Sequence, residues 1–550
     1  MSEDFVNIAS HLPRMAREQP DTLAVACPAG RDRSGRYRWV RLSFKALDEE
    51  SNRFARGLAE AGIGRGVRTV LMVSPSPEFF ALTFALFKVG AVPVLVDPGM
   101  GIANLKTCLA EAEPEAFIGI SKAHAARVLL GWAKPSLRTL VTVGRRWFWG
   151  GRTLEDVRSS DATEYLVKTR PEETAAILFT SGSTGVPKGV VYTHSTFDAQ
   201  VRMLKNIYHI RPGEIDVPTF PLFALFGPAL GTSAVVPEMD FTRPGSVDPK
   251  NIVDAVREFG ANQMFGSPAL LDRVGRWLHE QGESLPTMRR IISAGAPVSA
   301  AVLERFNTRL ASDAEIFTPY GATECLPVAS IGSKEILGET RAETDAGKGV
   351  CVGRPAIEMT VKIIRISDEA ISEWKDSLEL PIGTIGEIVV QGPVASRSYY
   401  NRERSTELAK IEDRKRETFY HRMGDLGYFD ARGRLWFCGR KTHRVKTEKE
   451  TLYTVPCEAV FNTHVGVYRT ALVGVGNGVK KPVLCVELEA EAREWPKTRL
   501  LDELRGLGEL HEHTKEIQTI LFHDSFPVDI RHNAKIFREK LAIWAEAQLS

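Results

Sequence analysis

Residues 175–189 read AAILFTSGSTGVPKG, and this stretch joins an apolar strand to a loop of small polar residues. The segment AAIL has the character of a strand that is buried in a sheet. The following residues supply four hydroxyl groups, three glycines and a single lysine, Lys188. Glycines let backbone N–H groups come close to a ligand, and hydroxyls add further donors. A cluster of donors with one ammonium group suits a polyanion, and phosphate is the first candidate.

Two familiar phosphate-binding patterns do not fit this loop. A Walker loop requires the order G-x-x-x-x-G-K-[ST], whereas here Pro187 precedes Lys188 and Gly189 follows it. Pro187 removes a backbone donor and disfavours helix at Val186, so no helix begins where Walker geometry needs one. The dinucleotide pattern G-x-G-x-x-G is absent from this loop as well. A flexible turn without a ligand is the alternative interpretation. The sequence favours phosphate binding by a loop that follows neither of these patterns.

The composition is that of an ordinary globular protein with more than one domain. At 550 residues the chain exceeds a single hydrophobic core, so two or more domains are expected. A net charge of +2 without long runs of like charge gives no electrostatic case for a nucleic-acid partner. Seven scattered cysteines without a C-x-x-C pair suit reduced thiols in the cytoplasm.

Neither the N-terminus nor the most apolar run predicts a secreted or membrane-spanning protein. The segment MSEDFVNIASHL is acidic and lacks the apolar core of a secretory signal. Residues 79–97 come nearest to a membrane span, but Lys88 interrupts the run, Gly90 breaks it and Pro93 would kink it. We predict a buried helix that ends near Gly90, followed by a buried strand. We expect a cytoplasmic location without a transmembrane helix, and peripheral membrane contact stays open.

Strands and helices alternate through the larger part of the chain. A helix is predicted from a Ser43 cap onward, and the alternation continues to about residue 320, which indicates a layered, mainly parallel α/β architecture. After about residue 345, strand-rich segments indicate a smaller sheet subdomain. From residue 441 the pattern changes again, with Asn477-Gly478 as a predicted hairpin turn. The HEH run at 511–513 is placed in a polar helical face, so no metal site is predicted there.

Four further clusters combine small, aromatic and charged residues in loops. They are SAGAP at 293–297, TPYGATE at 318–324, YHRMGDLGYF at 420–429 and FPVDIRHNAKIFR at 526–538. Each has an ordinary explanation when taken alone. Asp425, which follows a glycine, suits a turn, and Lys535, near the C-terminus, suits a solvated surface.

Together and in this order, the five segments resemble the signature of the adenylate-forming superfamily, which includes acyl-CoA synthetases, peptide-synthetase adenylation domains and luciferases. The resemblance extends over essentially the whole chain. It implies a large N-terminal domain, residues 1–440, of two α/β subdomains and a small barrel-like sheet. It also implies a mobile α+β C-terminal domain, residues 441–550, that carries the catalytic lysine. The reaction it implies activates a carboxylate with ATP and Mg²⁺ to give an acyl-adenylate and pyrophosphate.

The resemblance assigns a role to each matching residue. Lys535 would bridge the carboxylate and the α-phosphate, Glu324 would bind Mg²⁺ and Thr323 would donate to the α-phosphate. Tyr320, beside Gly321, would stack on adenine, and Asp425 would accept from the ribose hydroxyls. Arg440 would pair with the ribose or a phosphate and mark the hinge. Adenine would also meet backbone at Ala294, Gly295, Ala296 and Pro297. Pyrophosphate would be held by Thr180, Ser181, Gly182, Ser183, Thr184, Gly185 and Lys188.

The hinge departs from the common pattern of the superfamily. The usual GRxDxxIKxxGxxVxPxE is replaced by GRKTHRVKTEKETLYTVPCE, with Thr442 in place of the hinge aspartate. Lys449 stands where relatives have the glycine that lets pantetheine pass, and about two extra residues precede Pro456. A longer, charged hairpin argues against the thiol tunnel of the thioester-forming relatives.

The predicted acyl gate departs as well. Residues 221–227 read PLFALFG, whereas many fatty-acid-activating relatives have PLFHxFG, in which a ring narrows the acyl pocket. Ala224 would leave space for a branched or two-chain substrate. Simple repacking of a helix or loop start explains the same change equally well.

With these departures the chain looks closest to bacterial olefin-biosynthesis β-lactone synthetases. That resemblance implies a long-chain 2-alkyl-3-hydroxy acid as substrate and a β-lactone, AMP and diphosphate as products, because the 3-hydroxyl attacks the adenylate intramolecularly without coenzyme A. A long-chain fatty acyl-CoA ligase is the first alternative, and a catalytically silent scaffold is the second. The resemblance also implies assembly with thiolase-like, reductase and α/β-hydrolase enzymes. His194 is a weak candidate for the base that deprotonates the hydroxyl, and a helix-start role explains it equally well.

Overall fold

The structure is a computed structural model that describes residues 5–180, 187–220, 226–529 and 535–550. Three of the features predicted from the sequence lie outside these residues. They are the centre of the phosphate loop (Ser181, Gly182, Ser183, Thr184 and Gly185), the gate residue Ala224 and the segment that precedes Lys535.

The first sheet forms the core of the N-terminal α/β layer. Its strands lie, in spatial order, at Arg152–Thr153, Thr139–Val143, Ala116–Ile120, Arg68–Met72, Val92–Leu95, Thr174–Thr180 and Lys188–Thr193. All neighbours pair in parallel except the last two strands, which flank the phosphate loop and pair antiparallel. The register places Thr180 opposite Lys188, so the loop begins and ends at one edge of this sheet.

Helices cover the first sheet, and the helix predicted from Ser43 onward is one of them. They lie at Phe44–Glu60, Pro77–Lys88, Ile102–Ala112, Ser121–Leu130 and Leu154–Val157. Ser43 caps the first of these, since its hydroxyl accepts a hydrogen bond from the Ala46 N–H at 3.2 Å. The predicted helix over the apolar run is confirmed and ends at Lys88. Lys88 is buried, and its Nζ lies 2.6 Å from Asp48 Oδ1 and 2.6 Å from Asn52 Oδ1.

A second, larger sheet continues from an α/β half into an antiparallel half. Its strands lie, in spatial order, at Thr360–Ile364, Gly386–Gln391, Thr418–Phe429, Leu435–Arg440, Val350–Pro355, Cys325–Gly332, Glu315–Ala322, Arg290–Ile292, Gln263–Phe265, Ile215–Pro218, Ser233–Val235, Leu23–Arg31 and Tyr37–Ser43, and Lys410–Asp413 pairs with Thr418–Phe429. The strands from Ile215–Pro218 to Glu315–Ala322 pair in parallel. The strands beyond Glu315–Ala322 towards Thr360–Ile364 pair antiparallel, which agrees with the smaller sheet subdomain predicted after about residue 345.

The helices of the second α/β layer and of its antiparallel extension are shorter on average. They lie at His11–Glu18, His194–Tyr208, Phe226–Leu230, Pro249–Phe259, Pro268–Gln281, Ala300–Asn307, Ser333–Glu335, Arg341–Glu343 and Glu403–Ala409. The parallel strands and their covering helices make the predicted layered α/β class correct. No helix in the described ranges is both long and apolar enough to cross a membrane.

Residues after 441 have a sheet and hydrophobic clusters of their own. A hairpin pairs Val445–Lys446 with Thr451–Leu452, and a three-stranded sheet holds Val467–Val475, Lys481–Leu488 and Thr519–Phe522. Helices lie at Thr454–Phe461, Lys497–Glu509 and Arg538–Leu549. Two clusters of buried side chains contain only residues after 441. The division into domains at 440 and 441 stays a prediction.

The HEH run corrects one detail of the sequence analysis. The helix that was predicted to include it ends at Glu509, and residues 511–513 lie in the turns that follow. Among the residues that the structure describes, no group of three His, Cys, Asp or Glu side chains is arranged to hold a metal ion.

Candidate active site

A cavity of about 2130 Å³ lies between the two α/β layers, the antiparallel half-sheet and the C-terminal segment. All the predicted site residues with described side chains line it. They are Lys188, Ala294, Gly295, Ala296, Pro297, Tyr320, Gly321, Thr323, Glu324, Asp425, Arg440 and Lys535. The fold therefore brings together residues that are separated by up to several hundred positions in the sequence.

Asp425 is the centre of the polar end of this cavity. The Tyr320 hydroxyl donates a hydrogen bond to Asp425 Oδ2 at 2.7 Å, and Arg440 Nη1 lies 3.0 Å from Asp425 Oδ1. Asp425 and Arg440 face each other because their strands pair antiparallel in this register. Arg440 also donates to the Met423 carbonyl at 3.2 Å, which fixes its guanidinium beside the carboxylate.

Burial and the charges of neighbouring side chains set the protonation states of this group. Burial raises the pKa of Asp425 above its ordinary value, although Arg440 and the Tyr320 hydrogen bond act in the opposite direction. The Asp425 carboxylate in turn raises the pKa of Arg440, so the guanidinium stays charged. Burial and the same carboxylate raise the pKa of Tyr320, so its hydroxyl remains a donor. The three groups form a fixed acceptor that is flanked by two donors.

Glu324 is held from two directions. The Tyr399 hydroxyl donates to Glu324 Oε1 at 2.7 Å, and the Ser396 N–H donates to the Glu324 carbonyl at 2.8 Å. Lys188 Nζ lies 5.0 Å from the centre of the Tyr399 ring, so the loop lysine and the carboxylate share one neighbour. The sequence analysis did not identify Tyr399, because SYYN belongs to none of its motifs.

Thr323 is positioned through its backbone. The Tyr192 hydroxyl donates to the Thr323 carbonyl, which ties the GATE segment to the strand after the phosphate loop. Burial raises the pKa of Tyr192, so this hydroxyl keeps its proton.

A buried lysine and histidine support the Glu324 segment, and the sequence analysis missed both. Lys410 Nζ donates to the Ser396 carbonyl and lies 3.0 Å from His421 Nδ1. Burial lowers the pKa of Lys410 to about 8, and the Glu324 carboxylate partly offsets that shift. Burial and the Lys410 charge lower the pKa of His421 well below its usual value, so the ring is neutral and accepts at Nδ1. Recognising residues 410–421 as a β-hairpin would have predicted this pair, because the antiparallel register places Lys410 opposite His421.

Lys535 reaches the polar end from the C-terminal segment. Its carbonyl accepts a hydrogen bond from the Asp529 N–H at 2.9 Å, and a bridge joins Val528 to Ile536, which closes the loop that carries the lysine. Burial and the nearby Arg440 charge lower the pKa of Lys535, while Asp529, Glu324 and Asp425 favour its charged form. The ammonium group is thus within the electrostatic reach of both carboxylates of the cavity.

The segment SAGAP forms a small-residue wall after a short strand. Arg290–Ile292 ends just before it, and Gly295 has φ of +100°, a conformation that favours glycine. Ala294, Gly295, Ala296 and Pro297 all line the cavity and present little bulk.

The hinge region forms the hairpin predicted from its extra residues. Thr442 lies in a single turn, Lys441–His443, between the two parts of the chain. Lys441 Nζ lies 3.0 Å from Glu387 Oε1, and Arg444 Nη2 lies 2.7 Å from Asp368 Oδ2, so ion pairs join the hinge to the antiparallel half-sheet. Lys449 is exposed in the hairpin turn, and its Nζ lies 2.9 Å from Glu516 Oε1.

His194 lies away from the cavity. The ring is fully buried at the start of its helix, its Nδ1 accepts from the Ile8 N–H at 3.3 Å, and Phe87 packs against it. Burial lowers the pKa of His194 to about 4, so the ring is neutral. This geometry fits the structural role that the sequence analysis gave as the alternative to a catalytic base.

The apolar end of the cavity draws on both α/β layers. The first layer contributes Met72, Leu95, Leu105, Trp132 and Leu178, and the second contributes Phe197, Phe226, Met239, Phe241 and Phe265. Phe197 lies 6.1 Å from Phe226 between ring centres, so aromatic rings pack along this wall. Ala224 lies outside the described residues, and its effect on the gate stays a prediction.

Comparison with known proteins supports one family. A model for the AMP-binding enzyme family matches residues 12–400. The chain is 54% identical over 549 residues to the olefin beta-lactone synthetase of Xanthomonas campestris pv. campestris, with 98% of each chain covered. It is 53% identical over 551 residues to the olefin beta-lactone synthetase of Stenotrophomonas maltophilia, with 99% of this chain and 98% of that protein covered.

A solved structure shows the same fold at low sequence identity. The anthranilate CoA ligase AuaEII, in complex with anthranoyl-AMP, superposes with a TM-score of 0.81 at 19% identity and covers 99% of this chain and 98% of its own. The chain therefore belongs to the AMP-binding enzyme family, and it is similar over its whole length to olefin beta-lactone synthetases.

Proposed function

We propose that the protein adenylates the carboxyl group of a long-chain 2-alkyl-3-hydroxy acid with ATP and then closes a β-lactone ring. The observation that carries the proposal is the one cavity that joins the predicted nucleotide residues to an apolar end. The full-length similarity to two olefin beta-lactone synthetases supports the choice of substrate class.

In the first step a carboxylate oxygen of the acid attacks the α-phosphorus of ATP, and the bond to the β-phosphate oxygen breaks. Lys535 would stand between the two anions and neutralise the charge that builds up between them. Its position near Glu324 and Asp425 on a separate segment supports this role. Diphosphate then leaves towards Lys188, at the edge where the phosphate loop begins and ends.

Asp425 and its neighbours would hold the nucleotide. Its carboxylate has acceptor sites beyond those used by Tyr320 and Arg440, and these suit the two ribose hydroxyls. The SAGAP wall would contact adenine, with the Tyr320 ring on the other side. The Tyr320 ring lies 6.0 Å from Phe437, which supports its orientation.

The donor set at Glu324 fits Mg²⁺. A hard cation of this kind binds through one or two carboxylates together with phosphate oxygens and water, and Glu324 supplies such a carboxylate. When bound, Mg²⁺ would offset charge on the phosphate oxygens. Tyr399 orients the Glu324 carboxylate, and the Lys410–His421 pair holds the adjoining backbone through Ser396.

In the second step the 3-hydroxyl oxygen attacks the acyl carbon, the bond from that carbon to the AMP oxygen breaks, and the hydroxyl proton is released. Intramolecular attack has a large proximity advantage when the groups are aligned, with effective molarities up to about 10⁵–10⁸ M. The apolar walls from the two layers would hold the two alkyl arms and so direct the hydroxyl towards the carbonyl. The charged hinge hairpin fits a reaction that needs no thiol.

We also propose that residues 441–550 move as one domain about the hinge near Arg440. Lys441 pairs with the buried Glu387 and Arg444 with the exposed Asp368, so both contacts lie on one short segment about which the remaining residues would turn. Assembly with thiolase-like, reductase and α/β-hydrolase enzymes remains part of the proposal from the family resemblance.

Product analysis tests the function. The protein is incubated with ATP, Mg²⁺ and a 2-alkyl-3-hydroxy acid, with and without coenzyme A, and the products are identified by NMR. We expect the β-lactone, AMP and diphosphate in both mixtures. A thioester that forms only with coenzyme A would establish the acyl-CoA ligase alternative, and no diphosphate from any acid would establish the silent scaffold.

A further inference from the structure

An exposed apolar face lies on the first α/β layer, outside the cavity. Three side chains form it, and we call it the aromatic face: Val128, Trp147 and Phe148, which are 41%, 51% and 73% exposed. Large apolar side chains this exposed and this close in the fold indicate an interaction surface rather than scattered surface residues.

The aromatic face is held in a fixed arrangement. Trp149 stacks on His124 of the helix Ser121–Leu130, with ring centres 5.4 Å apart and planes 7° from parallel. The ring centres of Trp147 and Phe148 lie 5.3 Å and 5.4 Å from that of Trp149. Val128 follows His124 by one helical turn, so it lies on the same side of the helix.

Hydrogen bonds fix the loop that carries the rings. Trp149 Nε1 donates to Thr142 Oγ1 at 2.9 Å, and the Ser121 hydroxyl donates to the Arg145 carbonyl at 2.5 Å. His124 Nε2 donates to the Val141 carbonyl at 2.9 Å, which sets the plane on which Trp149 stacks. The inner ring is thus anchored, and the two outer rings point away from the protein core.

The segment that carries the aromatic face is basic. Residues 121–152 contain seven Lys or Arg and no Asp or Glu: Lys122, Arg127, Lys134, Arg138, Arg145, Arg146 and Arg152. All of these except Arg127 are exposed. Since the whole chain carries only +2, the residues outside this segment together carry −5. The acidic residues that follow are Glu155 and Asp156, and Asp156 is engaged by the Thr153 N–H.

The same helix also lines the active-site cavity. Ile120, Lys122 and Ala123 at its start, and Trp132 just after its end, line that cavity. One short helix therefore separates the aromatic face from the space that would take the alkyl arms.

We propose that the aromatic face docks the protein onto an anionic lipid surface. Exposed tryptophan and phenylalanine suit the boundary between headgroups and acyl chains, and flanking arginines suit anionic headgroups. Docking with this side places the cavity wall next to the lipid. The entry of a long-chain acid from that surface rests on the proposed function, whereas the docking does not.

Vesicle sedimentation without ATP or acid tests the docking. The full-length protein is mixed with vesicles of phosphatidylcholine alone or of phosphatidylcholine with phosphatidylglycerol. We expect binding to the anionic vesicles that weakens as salt is added. Arg145→Gln with Arg146→Gln should lower the affinity about 25-fold, at about fivefold for each basic residue. Trp147→Ser with Phe148→Ser should lower it at least tenfold.

Matched variants control for general stickiness and for misfolding. Leu510→Ser and Ile543→Ser remove apolar side chains that are 74% and 71% exposed elsewhere, and we expect unchanged vesicle binding. Diphosphate release with a short, water-soluble 3-hydroxy acid should be the same in all variants. The proposal would be overturned if the native protein bound neither vesicle type, or if the face variants bound vesicles as well as the native protein does. It would also be overturned if the face substitutions abolished a protein dimer and left lipid binding unchanged. Because the sedimentation involves no product, its failure is separate from failure of the proposed function.

Discussion

The two ends of the cavity differ in how they are built. At the polar end a few side chains, above all Asp425, Glu324 and Lys535, are held by named hydrogen bonds and by charge. At the apolar end ten or more side chains from two layers form walls in which no single residue dominates. The polar end depends on particular atoms at particular positions, whereas the apolar end depends on total area and shape.

This difference predicts the size of mutational effects. Removing one charged group from a buried polar site leaves its partners without compensation, so the loss is large. Changing an apolar wall costs a contribution that scales with the area removed. Substitutions at the polar end should therefore have larger effects than changes at the apolar end.

Lys535→Ala should have the largest effect, since its ammonium would act in the transition state. We expect diphosphate release to slow about 10²–10³-fold while ATP binding, measured by calorimetry, is kept. Lys540→Ala, which removes an exposed lysine of the next helix, is the control and should leave the rate unchanged. Loss of ATP binding in Lys535→Ala would contradict a role restricted to the reacting charges.

The burial of Lys410 should make the unfolding free energy depend on pH. Its folded pKa of about 8 lies below the ordinary 10.5, so between these values the unfolded chain binds one proton more than the folded protein. The unfolding free energy of the native protein should therefore rise with pH, relative to Lys410→Met, by up to about 3 kcal/mol. Urea unfolding on both sides of this interval measures the difference.

Lys415→Met, in the exposed turn of the same hairpin, is the control for Lys410. It should follow the native protein at every pH. If native and Lys410→Met change in parallel across the interval, the lysine is not buried as described.

Tyr320→Phe should weaken ATP binding, with a smaller effect than that of Lys535→Ala on the rate. It removes the donor to Asp425 Oδ2, and a hydrogen bond to a charged group contributes about 1.5–3 kcal/mol. We expect KM for ATP to rise about tenfold or more. Tyr428→Phe, whose hydroxyl donates to the Lys348 carbonyl at the surface, should leave KM unchanged. Equal effects of the two substitutions would argue against a special role for Tyr320.

Shortening an alkyl arm of the substrate by one methylene should have the smallest effect on kcat/KM. Every methylene removed from an alkyl arm gives up about 0.8 kcal/mol, which is about fourfold in kcat/KM. KM for ATP should not change along the series, because the arms and the nucleotide occupy opposite ends. A series of acids with equal kcat/KM would mean that the apolar walls do not bind the arms.

The sequence predicts the polar end better than the apolar end for a physical reason. Asp425, Tyr320 and Lys535 sit in short motifs whose order along the chain matches the signature of a known family, and the structure brings them to one cavity. The apolar walls come from strands and helices that alternate in the ordinary way, so nothing in the pattern separates wall residues from core. The layered α/β class followed from that alternation alone.

Contacts between segments that are distant in the chain could not be predicted from the sequence either. Tyr399 reaches Glu324 across 75 positions, and no local pattern indicates that contact. The Lys410–His421 pair was within reach of a hairpin argument, because both residues belong to adjacent antiparallel strands. His194 shows the reverse case, in which a polar residue close to a motif in sequence is buried away from the cavity.

Isotope labelling tests the central claim, that the carboxylate is joined to AMP and then displaced by the substrate's own hydroxyl. The acid is prepared with ¹⁸O in its carboxyl group, and the products are examined by mass spectrometry. The account predicts one labelled oxygen in AMP and one in the lactone carbonyl, with the ring oxygen unlabelled. Unlabelled AMP, or label in diphosphate, would contradict it.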